Sequence, residues 1–114
     1  MPVLTRALGA ATAAYGATTI AFPRVLAKPC GLPTTTPVRT LIAAIGARDT
    51  AIGLAMALAP AGAPLRTAVS ARVASDTADA VVFGLGLPDR SARPKVVAAA
   101  LGWAALCAVS AFTR

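Results

Sequence analysis

Apolar residues fall in four long blocks along this chain, and proline bounds each of them. The first block covers 3–22 and stops at Pro23. The second covers 38–59, between Pro37 and Pro60; the third covers 65–87, between Pro64 and Pro88; the fourth covers 95–112 and follows Pro94. Proline lacks the N–H that a helix interior requires, so it marks helix ends. Each block is close to the ~20 residues with which a helix crosses the hydrocarbon core of a bilayer. The pattern predicts an all-α fold, an integral membrane four-helix bundle in which 1–114 form one transmembrane domain. The first block has the early Arg6 of a signal peptide, but its apolar stretch outruns a signal core and the rest of the chain is just as apolar, so it is expected to remain as a span.

The connections differ. PRVLAKPCGLPTTTP (23–37) has four prolines and no helical period, which predicts a plain Pro-rich loop, with CGLP as an alternative re-entrant or interfacial turn. PAGAP is so short that the second and third helices must run antiparallel as a hairpin. PDRSARP is short and charged. Within the spans, Gly9 and Gly16 are seven residues apart, as are Gly46 and Gly53, with Thr50 on the second stripe. Small-residue stripes let helix backbones approach in lipid, where packing rather than the hydrophobic effect drives association.

Charge interrupts this pattern in two places. Arg48 and Asp49 fall near the middle of the second block. The third block holds Arg72, Asp76 and Asp79 at i, i+4 and i+7, one helical face. With the hairpin turn near residue 62, positions whose numbers sum to about 124 should lie level. Arg48 is then level with Asp76, while Arg72 and Asp79 are each offset by about three residues, or ~4.5 Å of rise, from Asp49 and Arg48. An arginine side chain spans that distance, so all five can form one cluster. A lone central Arg or Asp costs ~2.5–3.5 kcal/mol on insertion and a Leu or Ile returns only ~0.3–0.6. The second helix should therefore insert poorly alone and well as a hairpin whose charges are paired, facing a bundle interior or a wet cavity. Three aspartates against two arginines leave an imbalance of −1, to be met by a proton or a cation at Asp76 or Asp79.

Composition agrees with a lipid environment: 57% of residues are hydrophobic and 13% charged, against roughly 25% charged in soluble domains. The net charge of +7 is spread between apolar blocks, which reads as membrane-orienting loop charge and not as a nucleic-acid surface. Arg24, Lys28, Arg39, Arg90, Arg93 and Lys95 lie on one side, Arg6, Arg66 and Arg114 on the other. This predicts a multi-pass protein of the cell membrane with both termini outside. The chain has no His, Glu, Asn or Gln, which excludes His-based catalysis and most zinc and copper sites; no cofactor and no metal are expected. Cys30 and Cys107 should be free thiols. Trp103, inside the last block, reads as packing, and Tyr15 as a hydrogen-bond partner for the cluster.

Three stretches carry a family likeness: FPRVLAKPCGLP (22–33), GARDTAIGLAM (46–56) and ASDTADA (74–80). The chain resembles a bacterial family of uncharacterised small four-span membrane proteins and is similar in overall pattern to the DoxX-like membrane proteins. The most specific shared piece is Arg48 and Asp49 followed by Gly53. The resemblance implies four spans and one short domain, and no particular activity. Four-span exporters of the small multidrug resistance type have a similar length, but their first-helix glutamate has no counterpart here.

Several functions fit these residues. In one, the cluster of Arg48, Asp49, Arg72, Asp76 and Asp79 binds a small amphipathic molecule or a membrane protein partner. In another, the chain is a proton- or cation-coupled transporter acting as a homo-oligomer, with Asp76 or Asp79 as carrier. In a third, it is a membrane enzyme that uses paired Asp and Arg groups on a lipophilic substrate. A purely structural role, locking helix register, is the fourth. A cavity lined by Arg72 and Asp79 would favour binding or catalysis; full charge pairing without a cavity would favour the lock.

Overall fold

A computed structural model describes residues 3–111. Among them are five α-helices and no strand: α1 (Val3–Ala21), α2 (Arg24–Cys30), α3 (Thr36–Leu58), α4 (Ala63–Gly86) and α5 (Arg93–Ser110). The fold is an all-α bundle of four long helices and one short one. The long helices begin and end within two residues of the blocks bounded by proline, except that the expected end of the fourth block at Phe112, like Arg114, lies outside the described residues. Prolines open α3, α4 and α5 at their first positions, where a missing N–H costs nothing.

The 23–37 segment departs from the expected loop, because Arg24–Cys30 is helical. Pro29 sits inside that helix but in its last turn, so it removes only one helical hydrogen bond. Gly31 closes the helix at φ 67°. Its N–H reaches the Lys28 carbonyl and that of Leu32 reaches Ala27, the paired pattern that caps a helix through a left-handed residue. The clue in the sequence was a glycine just past a short apolar run, hidden by proline density. Cys30, Leu87 and Ala92 bury together, with Leu26, Phe83 and Val96 against them, and so tie α2 to the ends of α4 and α5.

The bundle is assembled from two close pairs, α1 with α3 and α4 with α5. The first seam explains the glycine spacing. A Cβ on Gly9 would stand 2.6 Å from the Met56 Cβ, one on Gly16 2.6 Å from the Gly46 carbonyl oxygen, and one on Gly53 2.6 Å from the Gly9 carbonyl oxygen. The two stripes face each other across an antiparallel crossing, and no side chain fits between them. Beyond this seam, Leu8, Met56, Ala68, Val69 and Cys107 form the apolar core, with Trp103 packed against it.

Beside its apolar core the bundle buries several polar and charged side chains and leaves large apolar ones exposed. Arg72, Asp49, Asp76, Thr5, Thr12, Thr19 and Ser110 are buried, while Leu58 and Leu85 are each 76% exposed and Phe22, Val82 and Val109 lie on the surface with them. The inward hydroxyls bond within the bundle: those of Thr5 and Ser110 are 2.8 Å apart, and Thr12 and Thr19 donate to the carbonyls of Leu8 and Gly16. Among the described helices, α3 alone is long and apolar enough by composition to cross a membrane, at a mean hydropathy of 1.6. The sequence pattern suggested four such helices. Buried threonines in α1 and the interior charges of α4 lower the hydropathy of the other candidates.

Candidate functional site

All five predicted charged residues meet between α3 and α4. Arg48 grips Asp79 with both terminal nitrogens, at 2.9 and 2.6 Å. It also turns back on its neighbour, donating from Nε and Nη2 to Asp49 Oδ1 at 3.2 and 3.1 Å. Arg72 donates to the same Asp49 oxygen at 2.9 Å and to Asp76 Oδ1 at 2.5 Å. The result is one alternating row, Asp79–Arg48–Asp49–Arg72–Asp76, with a carboxylate at each end. The level pair expected from the hairpin arithmetic, Arg48 and Asp76, is not bonded; the diagonal pairs are. Guanidinium groups reach along a helix axis, so the offset partners are the better placed.

The two arginines differ in environment. The Arg72 side chain is 2% exposed and that of Arg48 is 32% exposed. Arg72 is the largest of the fully buried side chains. Even so, its Nε has no hydrogen-bond partner, and neither has Asp76 Oδ2; both atoms are buried. In a row so heavily bonded, two orphaned atoms on neighbouring side chains are the exception that calls for a cause.

No neighbouring side chain satisfies these two atoms, which are closed off from open space, but the side chains that carry them border a cavity. A space of about 370 Å³ lies where the two helix pairs diverge, and every helix contributes to its wall. Asp49, Arg72, Asp76 and Asp79 form its polar side. Tyr15, Ile45, Phe83, Val96 and Trp103 are among the residues of its apolar side, with Leu26 of α2 at one end. Trp103 is held in place by its Nε1, which donates to Thr12 Oγ1 at 3.0 Å. Tyr15 lines the cavity but makes no hydrogen bond to the five charged residues, in contrast to the sequence expectation. Phe83, Ile45 and Leu26 were not legible as site residues, because nothing in an apolar run distinguishes a cavity wall from a lipid-facing or core position.

Both cysteines are buried free thiols. Burial, and secondarily the negative charge of Asp79, pushes the Cys30 thiol up from its ordinary value, which makes its reactive thiolate scarcer than that of an ordinary cysteine. At the α4–α5 turn, the Ser91 hydroxyl and N–H both donate to Asp89 Oδ1, at 2.6 and 3.0 Å. They hold its carboxyl below the usual carboxylate range. Asp89 also stands over Gly31, where a Cβ would come within 2.6 Å of its Oδ2. Among the described residues, no group of His, Cys, Asp and Glu has the arrangement of a metal site.

No protein family, no curated protein and no solved structure matches the chain.

Proposed function

We propose that this chain is a small integral membrane protein that binds a small amphipathic molecule in the cavity between its helix pairs. The reading is carried by one observation: Asp76 Oδ2 and Arg72 Nε, buried and without partners, belong to side chains in the polar wall of an otherwise apolar cavity. A pure register lock would pair its charges and close the space around them. Small-molecule sites have the opposite form, mostly apolar walls with a few convergent polar groups and a volume of roughly 300–1,000 Å³. The transporter and enzyme readings rest on the same five residues and gain no geometry of their own.

Support for a bilayer setting comes from the large apolar side chains on the surface, such as Leu58, Leu85 and Val82, together with the burial of Arg72, Asp49 and Asp76. The long axis of 41 Å is comparable to a bilayer with its headgroup regions, about 40–45 Å. In this setting α1, α3, α4 and α5 are the spans and α2 lies at the membrane edge; the excess of basic residues around α2 and the α4–α5 turn supports a cytoplasmic position for that edge in a cell-membrane protein.

Trp103 is the single tryptophan and lines the cavity, so it reports occupancy. The test is a titration of the protein in phosphatidylcholine vesicles with 1-adamantanol, a compact uncharged amphiphile without near-ultraviolet absorption. A saturable change in Trp103 emission is expected, absent from the cavity-filling variant Ala100→Phe. The same change in both proteins refutes the binding reading, as does an unchanged wild-type emission with 1-adamantanol and with charged amphiphiles of the same shape. Release of the native protein from cell membranes by alkaline carbonate refutes the membrane reading.

A further inference from the structure

We infer that the cavity selects a lipophilic monocation, a protonated amine on a compact apolar body, over neutral or anionic amphiphiles. The inference rests on the binding reading above and specifies its ligand class. Its basis is the placement of charge around the cavity. Three aspartates, Asp49, Asp76 and Asp79, line the wall together with one arginine, Arg72. Arg48, which balances Asp79 and shares Asp49, is not part of that wall. With all groups ionised the five-residue row carries −1, and the face shown to the cavity is more negative than the row as a whole.

Asp76 supplies the contact point. Its side chain is 8% exposed; Oδ1 accepts from Arg72 and Oδ2 accepts from nothing. Oδ2 is closed off from the cavity as the side chain stands; a turn of the Asp76 carboxylate that brings it to the wall would let an ammonium N–H complete the group and cancel the surplus charge of the row in one step, with a charge-assisted bond. The apolar body would lie among Ile45, Phe83, Val96 and Trp103. Aromatic rings at Tyr15, Phe83 and Trp103 add the attraction of π faces for a nearby cation. The unpartnered Arg72 Nε is the one feature that favours an anion. Its terminal nitrogens are already committed to Asp49 and Asp76, and an anion placed there would face all three carboxylates.

The test compares three probes of one shape: 1-adamantylammonium, 1-adamantanol and 1-adamantanecarboxylate. Each is titrated into the intact protein in vesicles of zwitterionic lipid, with Trp103 emission as the readout and protein-free vesicles correcting for partition. The ammonium is expected to bind at least tenfold more tightly than the alcohol, and the carboxylate more weakly than either. In Asp76→Asn the ammonium should lose its advantage over adamantanol. Wild-type affinity for the alcohol or the carboxylate equal to or above that for the ammonium overturns the inference and leaves the binding reading standing. Failure of all three to bind removes the binding reading itself. Because the wild-type ranking is decisive alone, the conclusion does not depend on the variant folding.

Discussion

Replacing Arg72 by methionine isolates the buried joint of the charge row. Methionine keeps much of the side-chain length and removes the guanidinium. Two charge-assisted bonds go with it, one of 2.9 Å to Asp49 and one of 2.5 Å to Asp76. Asp49 retains Arg48, but Asp76 is left with no partner, and three aspartates then face one arginine. Stranding a buried charge in this way costs about 3–5 kcal/mol. Arg48→Met provides the comparison: it strands Asp79 as Arg72→Met strands Asp76, but Arg48 and Asp79 are 32% and 20% exposed against 2% and 8% for Arg72 and Asp76, so the stranded charge is less deeply buried and a smaller cost of about 1–3 kcal/mol is expected. The double variant Arg72→Met/Asp76→Leu removes the stranded carboxylate too and returns the row to −1. It should lie within about 1 kcal/mol of the wild type, since a buried pair replaced by packed apolar groups is often neutral. Equilibrium unfolding in mixed micelles, followed by far-ultraviolet circular dichroism, gives all four stabilities and the coupling between the two sites. If Arg72→Met costs no more than Arg48→Met, or if the double variant is as unstable as the single, the row does not hold α3 against α4 as described.

Two further outcomes follow from other parts of the fold. Gly53→Leu should destabilise by about 1–3 kcal/mol or more, because its side chain has no space against α1. Gly86→Leu, where a Cβ meets nothing within 4 Å, should stay within about 0.5 kcal/mol in the same unfolding assay. At the α4–α5 turn, Ser91 lowers the Asp89 carboxyl in the folded state. Its contribution is therefore present above the unfolded carboxylate range, near pH 4, and is lost as pH falls through the lower folded value. Ser91→Ala should flatten that part of the acid dependence of the unfolding midpoint; an unchanged profile would show that the turn contributes nothing.

The charge cluster was legible because its ingredients are local and numerical. Arg72, Asp76 and Asp79 share a helix face by spacing alone, and a turn as short as PAGAP leaves little freedom in how high α4 stands against α3. The arithmetic located the cluster and put its offset pairs, Arg48 with Asp79 and Arg72 with Asp49, within reach of a guanidinium, as they are found; it tracks backbone height alone, so it could not say that the level pair of Arg48 and Asp76 stays unbonded. The heptad spacing of Gly9 with Gly16 and of Gly46 with Gly53 marked both stripes, but nothing in either stripe named the other as its partner. Helix α2 was missed because four prolines in fifteen residues outweighed the single capping signal of Gly31.

By itself, then, the order of residues determined where the long helices begin and end, which side chains are too costly to leave unpaired, and roughly where along the hairpin they meet. These follow from short-range covalent geometry: the missing proline N–H, the 3.6-residue turn and the rise per residue. Only the tertiary structure decided that α3 seats against α1 and α4 against α5, that Arg48 takes Asp79 while Arg72 bridges Asp49 and Asp76, and that a cavity remains where the pairs diverge. Those outcomes depend on the rotation of each helix about its axis and on the angle at which neighbours cross. Both are set jointly by side chains from all five helices, and no local stretch of sequence encodes them.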